Sequence, residues 1–489
     1  MPGAVGTAVG EGSKTQRSLV LALPVIATAQ LMLVLDDSIV NIALPSIQQE
    51  LHVAPVHLSW VVNAYILAFG ALLLLGGRIG DLWGRRGTVQ VGLAVFVVAS
   101  LAGGLGQTAG MLIAARGIQG LGAALIAPNV LALIATTFSE RKLRDTALSL
   151  YGAMSGIGIV IGLLLGGVLA GTLGWRWVFF INVPIGLLVL LGTRTLIAPE
   201  RHRGQLGSAG AVLGTAGTFA LVYAITRFGE DGFTDPVALV LIAVAAVVLA
   251  IFLVGQARSR NPLVPLSLFR DRNRAGAYVS MLLLAVGPMG SLYVLTLYLQ
   301  RVRDYSPILT GAAWLPFAAG IILGAGGAPK LLLKFAPRYV AGSGAVLSAL
   351  AALWFSGITV STSYWSHLAP AMLLSALGFG SGVMALTQAA VYHVEGNKAG
   401  IASALLNSAQ QIGVALGIAI LAGVAATATA HSTQSDVNAV LTEGYSDALL
   451  VSFVMLLTAG LLAVLLLDRH RPEPAVAESS PNAGSVTHR

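Results

Sequence analysis

The sequence predicts an all-α polytopic membrane protein with fourteen transmembrane spans and both termini in the cytoplasm. Composition is the first reason. Only 10% of the 489 residues are charged and 56% are apolar, against about 25% charged in an ordinary soluble domain. The second reason is repetition. Apolar runs of bilayer-spanning length, about 20 residues, fall at 19–44, 58–77, 88–107, 110–137, 146–172, 177–198, 207–226, 237–256, 275–300, 308–329, 339–359, 366–391, 400–426 and 448–467. The third is charge placement. With the N-terminus inside, 23 of the 28 Lys and Arg fall on the cytoplasmic side, four (Arg176, Arg227, Arg301, Arg303) fall outside and Arg116 lies within a span, as the positive-inside bias requires. The net charge of +8 is thus a matter of topology and gives no reason to invoke nucleic acid. The sequence has no cysteine, which excludes disulfides, Fe–S clusters and thiol catalysis.

The first span follows a polar tail, 1–18, with Lys14 and Arg17. Ala27-Thr28-Ala29 imitates a signal-peptide cleavage site, but the apolar run continues to Leu44, which suits an uncleaved helix. Inside that run stand Asp36 and Asp37. A carboxylate at membrane depth costs roughly 2.5–3.5 kcal/mol on insertion scales, so such groups usually face a protein interior or a water-filled path. The two are adjacent, about 100° apart on a helix, and cannot address the same point. A buried structural pair and a proton- or cation-binding site are the competing readings.

Span 2 carries Asn63, Tyr65 and Phe69 and ends in the cytoplasmic loop Gly76-Gly77-Arg78-Ile79-Gly80-Asp81-Leu82-Trp83-Gly84-Arg85-Arg86-Gly87. Glycines there permit a tight turn, and Asp81 sits among arginines. In span 4, Arg116 and Gln119 interrupt an apolar segment, and an intramembrane guanidinium needs an acid or backbone carbonyls. Counting helical rise from the outer ends puts Asp36 about 12 Å and Arg116 about 9 Å deep, so the two can pair. Span 5 places Gly158, Gly162 and Gly166 at steps of four on one ridge, with Gly167 beside them, where a neighbouring helix can approach closely.

The spans at 207–226 and 237–256 lack ionisable residues, as lipid-facing peripheral helices would. The loop 257–274, with five arginines, reads as a linker between a front block of eight spans and a rear block of six. Span 9 contributes Tyr278 and Tyr293, and span 13 sets Ser403, Asn407 and Gln411 at steps of four. With Asn41, Asn63, Tyr65 and Gln119 these are candidate cavity-lining residues, though aromatics could equally form interfacial belts and the amides interhelical hydrogen bonds. His393 reads as structural. The tail 468–489 is rich in Pro, Glu and Ser, a composition that favours disorder.

The loop spacing G-x-x-x-D-x-x-G-R-R resembles the signature loop of the major facilitator superfamily. Leu112-Ile-Ala-Ala-Arg116-Gly-Ile-Gln119-Gly120 is similar to that superfamily's second motif. Leu35-Asp36, Asn41-Ile42-Ala43-Leu44-Pro45, Trp60, Tyr65 and Trp175-Arg176-Trp177 through Asn182 and Pro184 resemble the fourteen-span drug:proton antiporter branch. Gly158 to Gly167 resembles the antiporter motif G-x-x-x-G-P-x-x-G-G, with Leu163 in place of the proline. The resemblance is dense over 35–186 and resumes over 400–417.

It implies two six-helix bundles, 19–198 and 275–467, around a central cavity, with two extra helices and a linker, 199–274, between them. It also implies a multi-pass protein of the bacterial cytoplasmic membrane, working as a monomer in the lipid bilayer. Export of small amphipathic compounds would be driven by protons, without a bound cofactor. Asp36 takes the family's acidic position and is the expected carrier of coupling, paired with Arg116, with Asp37 as a second site or helper. Gly77, Asp81, Gly84, Arg85 and Arg86 would form a cytoplasmic gating loop. So few buried acids favour monocationic or neutral substrates. Proton symport, or export of an endogenous metabolite, uses the same fold and stays open. No H-E-x-x-H and no G-x-x-x-x-G-K-[ST] occurs, so nothing points to a metalloenzyme or an ATPase.

Overall fold

The computed structural model describes residues 8–138, 140–196, 208–231, 235–259, 262–392, 394 and 396–468. Residues 1–7 of the expected tail, 197–207 of the interbundle segment, His393 and 469–489 lie outside them. The described chain is helical throughout, without a strand.

The first six spans of the front block comprise α1 (Ala8–Leu51), α2 (Trp60–Trp83), α3 (Arg85–Gly104), α4 (Ala109–Thr137), α5 (Arg141–Thr172), α6 (Trp177–Phe180) and α7 (Asn182–Gly192). Next come α8 (Ser208–Asp231) and α9 (Pro236–Arg258). The rear block holds α10 (Arg272–Arg301), α11 (Pro307–Ala313), α12 (Leu315–Leu332), α13 (Pro337–Ser356), α14 (Ala369–Val391), α15 (Gly396–His431) and α16 (Val437–Leu466). Two predicted spans are broken: α6 and α7 together form the sixth, and α11 and α12 the tenth. Thirteen segments among the described residues are long and apolar enough to cross a bilayer. The fifth span makes the fourteenth, although its described apolar part, Gly156–Thr172, is shorter.

Element ends follow from local chemistry. The side chains of Thr108, Asp235, Asp271, Ser306 and Asp436 accept hydrogen bonds from the first-turn amides of α4, α9, α10, α11 and α16, satisfying donors a helix start leaves orphaned. Arg227 also pairs with Asp235 at 2.8 Å and holds its carboxyl below the usual carboxylate range, joining the ends of α8 and α9. Between α2 and α3 the chain turns at Gly84 with φ of +102°, a conformation that favours glycine. Pro45 does not stop α1, which runs on to Leu51, seven residues beyond the predicted span. A proline removes one ladder bond and kinks a helix, and neighbouring groups re-satisfy the freed backbone in membranes. One residue beyond the Asn41 carbonyl that Pro45 leaves without its helical donor, Gln300 of α10 donates to the Ile42 carbonyl at 2.9 Å.

Within the front block α2 packs on α4, α3 on α4 and α1 on α5. In the rear block α12 packs on α14, α13 on α14 and α16, and α10 on α15 and α16. The blocks meet along α2–α15, α5–α11 and α1–α10. The pair α8–α9 sits beside this seam, with α8 touching both α2 and α15. Trp60 of α2 lies against Phe219 and Tyr223 of α8, ring centroids 5.6 and 5.5 Å away. α9 is the peripheral helix expected from its sequence, exposing Val240, Val247 and Ile251.

Candidate functional site

The site is built around Asp36, fully buried in α1. Arg116 of α4, equally buried, donates from Nη1 to Asp36 Oδ2 at 2.6 Å. Two amides complete the carboxylate: Asn182 Nδ2 of α7 at 2.6 Å and Gln119 Nε2 of α4 at 3.2 Å, both to Oδ1. The guanidinium is itself held. Its Nε donates to the Val61 carbonyl of α2 at 3.0 Å and its Nη1 to Gln119 Oε1 at 3.0 Å. Its Cζ stands 4.3 Å from the centroid of the Tyr65 ring, within cation–π range. Gln119 donates on to Ser100 Oγ of α3 at 2.8 Å, which donates to the Phe96 carbonyl. A buried ion pair survives only if hydrogen bonds complete its geometry, and here five helices supply them.

Asp37, the next residue, is in a different situation. It is half-buried, and the carboxylate has no hydrogen bond or ion pair among the described residues. Only its backbone carbonyl is engaged, accepting from Asn41 Nδ2 at 2.9 Å. Helical geometry sets Asp37 on a stripe with Val34 and Asn41, about 100° from Asp36.

α1 is seated by the glycine ridge of α5. A Cβ at Gly158 would stand 3.0 Å from the Val34 side chain, at Gly162 2.7 Å from Ser38 Cβ, and at Gly166 2.8 Å from the Ile39 carbonyl. Gly167 faces the other way, where a Cβ would stand 2.6 Å from the carbonyl oxygen of Pro307 in α11. One face of α5 thus holds the acid-bearing helix while the next touches the rear block.

These seam contacts lie in the outer and middle parts of the molecule. α15 rises from the cytoplasm, and Gln411, partway up it, is buried against Gly70 of α2. Asn407, one turn nearer the cytoplasm on the same stripe, is exposed. The contacts named between the blocks therefore concentrate towards the outer side. An outer clasp reinforces this side of the front block. Glu50 accepts from Trp175 Nε1 at 2.8 Å and pairs with Arg176, and Arg176 also reaches the Gly106 carbonyl.

The other candidates divide. Gln119 and Tyr65 belong to the Asp36 cluster. Asn63 is fully buried in α2 with neither side-chain polar atom bonded. Tyr278 lies near the cytoplasmic end of α10 against Phe269, and Tyr293 is buried nearer its outer end. At the cytoplasmic turn Asp81 pairs with Arg85 at 2.9 Å. Gly77 packs near Pro128, and Arg86 is at the limit of reach of the Leu196 carbonyl. Sequence reasoning missed Asn182 and Ser100 as partners in the cluster. Asn182 stood in a quoted motif, but uncharged polar residues in a span give no sign of what they bond. Among the described residues no cluster of His, Asp or Glu could hold a metal.

The family model described as Major Facilitator Superfamily matches residues 26–418. A puromycin resistance protein from Streptomyces alboniger is 41% identical, over 91% of each chain. The cephamycin export protein of Amycolatopsis lactamdurans is 36% identical over 96% of each. A tetracenomycin C resistance and export protein from Streptomyces glaucescens is 34% identical over 81% of this chain and 74% of its own. Among solved structures, a bacterial homologue of the human lysosomal transporter Spinster, inward-facing and unoccupied, superposes with a TM-score of 0.67 at 15% identity, covering 93% of this chain and 97% of its own. The inward-open xylose transporter of E. coli gives 0.62 at 15% identity, covering 93% and 98%.

Proposed function

This chain belongs to the major facilitator superfamily and is a multi-pass transporter of the bacterial cell membrane, and from that premise we propose that it exports small amphipathic antibiotic-like compounds in exchange for protons. The observation that carries the proposal is a pair of adjacent intramembrane carboxylates in unequal settings, Asp36 locked to Arg116 and Asp37 unbonded. Resistance and export relatives of closely similar length support the substrate class.

Mechanically, the bundles 19–198 and 275–467 rock about the seam, with 199–274 carrying the two additional helices between them. A form open towards the cytoplasm, a reading the exposure of Asn407 supports, receives substrate. Closure of the inner side and opening of the α5–α11 and α2–α15 contacts would deliver it outside, where a proton displaces it. Asp81, Arg85, Arg86, Gly77 and Gly84 bias which state is populated and do not touch substrate. One charge moving down 100 mV supplies about 2.3 kcal/mol. For a neutral compound exchanged one for one that supports roughly a 50-fold gradient.

The test uses inverted membrane vesicles holding a pre-formed proton gradient, read with a pH-sensitive dye while cationic and neutral amphipathic compounds, puromycin among them, are added. Compound-dependent collapse of the gradient, absent from vesicles lacking the protein, is the expected result. No collapse with any compound, from protein shown to be folded, contradicts the proposal.

A further inference from the structure

We infer that Asp37, not Asp36, is the carboxylate that releases and regains the proton, and that the same carboxylate holds the ammonium group of a monocationic substrate. This rests on the export reading above and assigns its chemistry within the site. Asp36 has no room for a ligand. Both of its oxygens are occupied, by Arg116, Asn182 and Gln119, and it is sealed from solvent. Protonating it would strand a buried guanidinium, and admitting a substrate cation would first require removing Arg116. In this structure it is paired with Arg116 at 2.6 Å, and the pair presents no net charge.

Asp37 has what Asp36 lacks. It is half-buried, it is unbonded, and its stripe on α1 with Val34 and Asn41 is distinct from the surface Asp36 presents to α4 and α7. The helices packed around it bring little that could compete. α5 presents Gly158, Gly162 and Gly166 to α1, α10 offers the neutral Gln300 at Ile42, and α2 brings the Tyr65 phenol within electrostatic reach of Asp37. The charged groups that act on Asp37 are Arg116 and Asp36, and these already neutralise each other at 2.6 Å. A single free carboxylate beside a neutral pair is a one-cation site. With the cytoplasmic side open, Asp37 gives its proton to water and the carboxylate takes the substrate's ammonium. With the outer side open, a proton from outside adds to the carboxylate and the ammonium leaves. One cation moves out for each proton that moves in.

Two measurements test this together. The first repeats the vesicle assay with Asp37→Asn, Asp37→Glu and Asp36→Asn, alongside proton release from detergent-solubilised protein in unbuffered solution on adding whichever monocation collapses the wild-type gradient. Asp37→Asn is expected to abolish both gradient collapse and proton release, from about one proton per cation bound to none, with its thermal midpoint unchanged. Asp37→Glu restores proton release. Unaltered proton release from Asp37→Asn would overturn the inference, while silence of the wild type with every compound would overturn the export reading instead. The second measurement needs no variant. Wild-type protein is treated with dicyclohexylcarbodiimide, which attacks protonated, accessible carboxyls, and fragment ions locate the adduct. Modification of Asp37 that the monocation suppresses is the expected result. An adduct on Asp36, or none on either residue, would overturn it.

Discussion

Arg116 shows how much a single buried side chain can organise. Its Nε and Nη1 serve Val61, Asp36 and Gln119 at once while Tyr65 covers its face, so lysine, a point charge without the planar fork, is no substitute. Replacing Arg116 with leucine strands Asp36 in a dry pocket, and breaking such a pair from one side costs about 3–5 kcal/mol. The expected outcome is a clearly lowered thermal midpoint of the purified protein, partly recovered when Asp36→Asn is added to remove the orphaned charge. No recovery in the double variant would mean the pair is not the reason for the loss. The meeting of Asp36 and Arg116 was legible in the sequence, because each is a costly group at a computable depth on helices of opposite direction. The division of labour between Asp36 and Asp37 was not. Adjacent residues share a depth and differ only in what surrounds them, and the surroundings come from Asn182, Gln119 and Ser100 on other helices.

At the scale of elements, α5 links the acid-bearing helix to the seam. Its glycines are spaced so that Gly158, Gly162 and Gly166 seat α1 while Gly167 admits Pro307 of α11. A methyl group at Gly167 would meet that carbonyl oxygen at 2.6 Å, closer than packing tolerates, and overpacking of this kind typically costs 1–3 kcal/mol. Because this contact joins α5 to the rear block near their outer ends, Gly167→Ala is expected to shift the population towards an outward-open state. The absence of native cysteine makes this measurable. Asn407→Cys, exposed on the cytoplasmic side of the α2–α15 seam, should react readily with an impermeant maleimide in inverted vesicles, and several-fold more slowly once Gly167→Ala is added. An unchanged rate would place the closing contact elsewhere. The glycine ridge was readable from spacing alone, but its two partners were not, since a packing surface does not name what packs on it. The run-on of α1 past Pro45 and the breaks between α6 and α7 and between α11 and α12 also escaped prediction. In a membrane, prolines and glycines kink, interrupt or pass unnoticed according to which neighbours satisfy the backbone.

For the whole molecule, fourteen spans and their orientation followed from hydropathy and charge placement, because lipid forces every span to declare itself by length and composition. What hydropathy does not reveal is the state of the seam, which depends on tertiary contacts such as Gln300 with Ile42 and Gly70 with Gln411. Among the described residues within the spans stand one unbonded carboxylate, Asp37, and one buried ion pair, Asp36 with Arg116. Exchange of one monocation for one proton moves no net charge, so a membrane potential does no work on it and only the pH difference drives it. A neutral compound exchanged for one proton would instead be electrogenic. Electroneutral exchange is tested by the flux of a monocationic substrate into proteoliposomes under a pH gradient alone and under a potential alone, with protein-free liposomes subtracting passive entry. Concentrative uptake into an acidic lumen driven by the pH gradient, and none driven by the potential, is the expected result. Uptake indifferent to the pH gradient would contradict it.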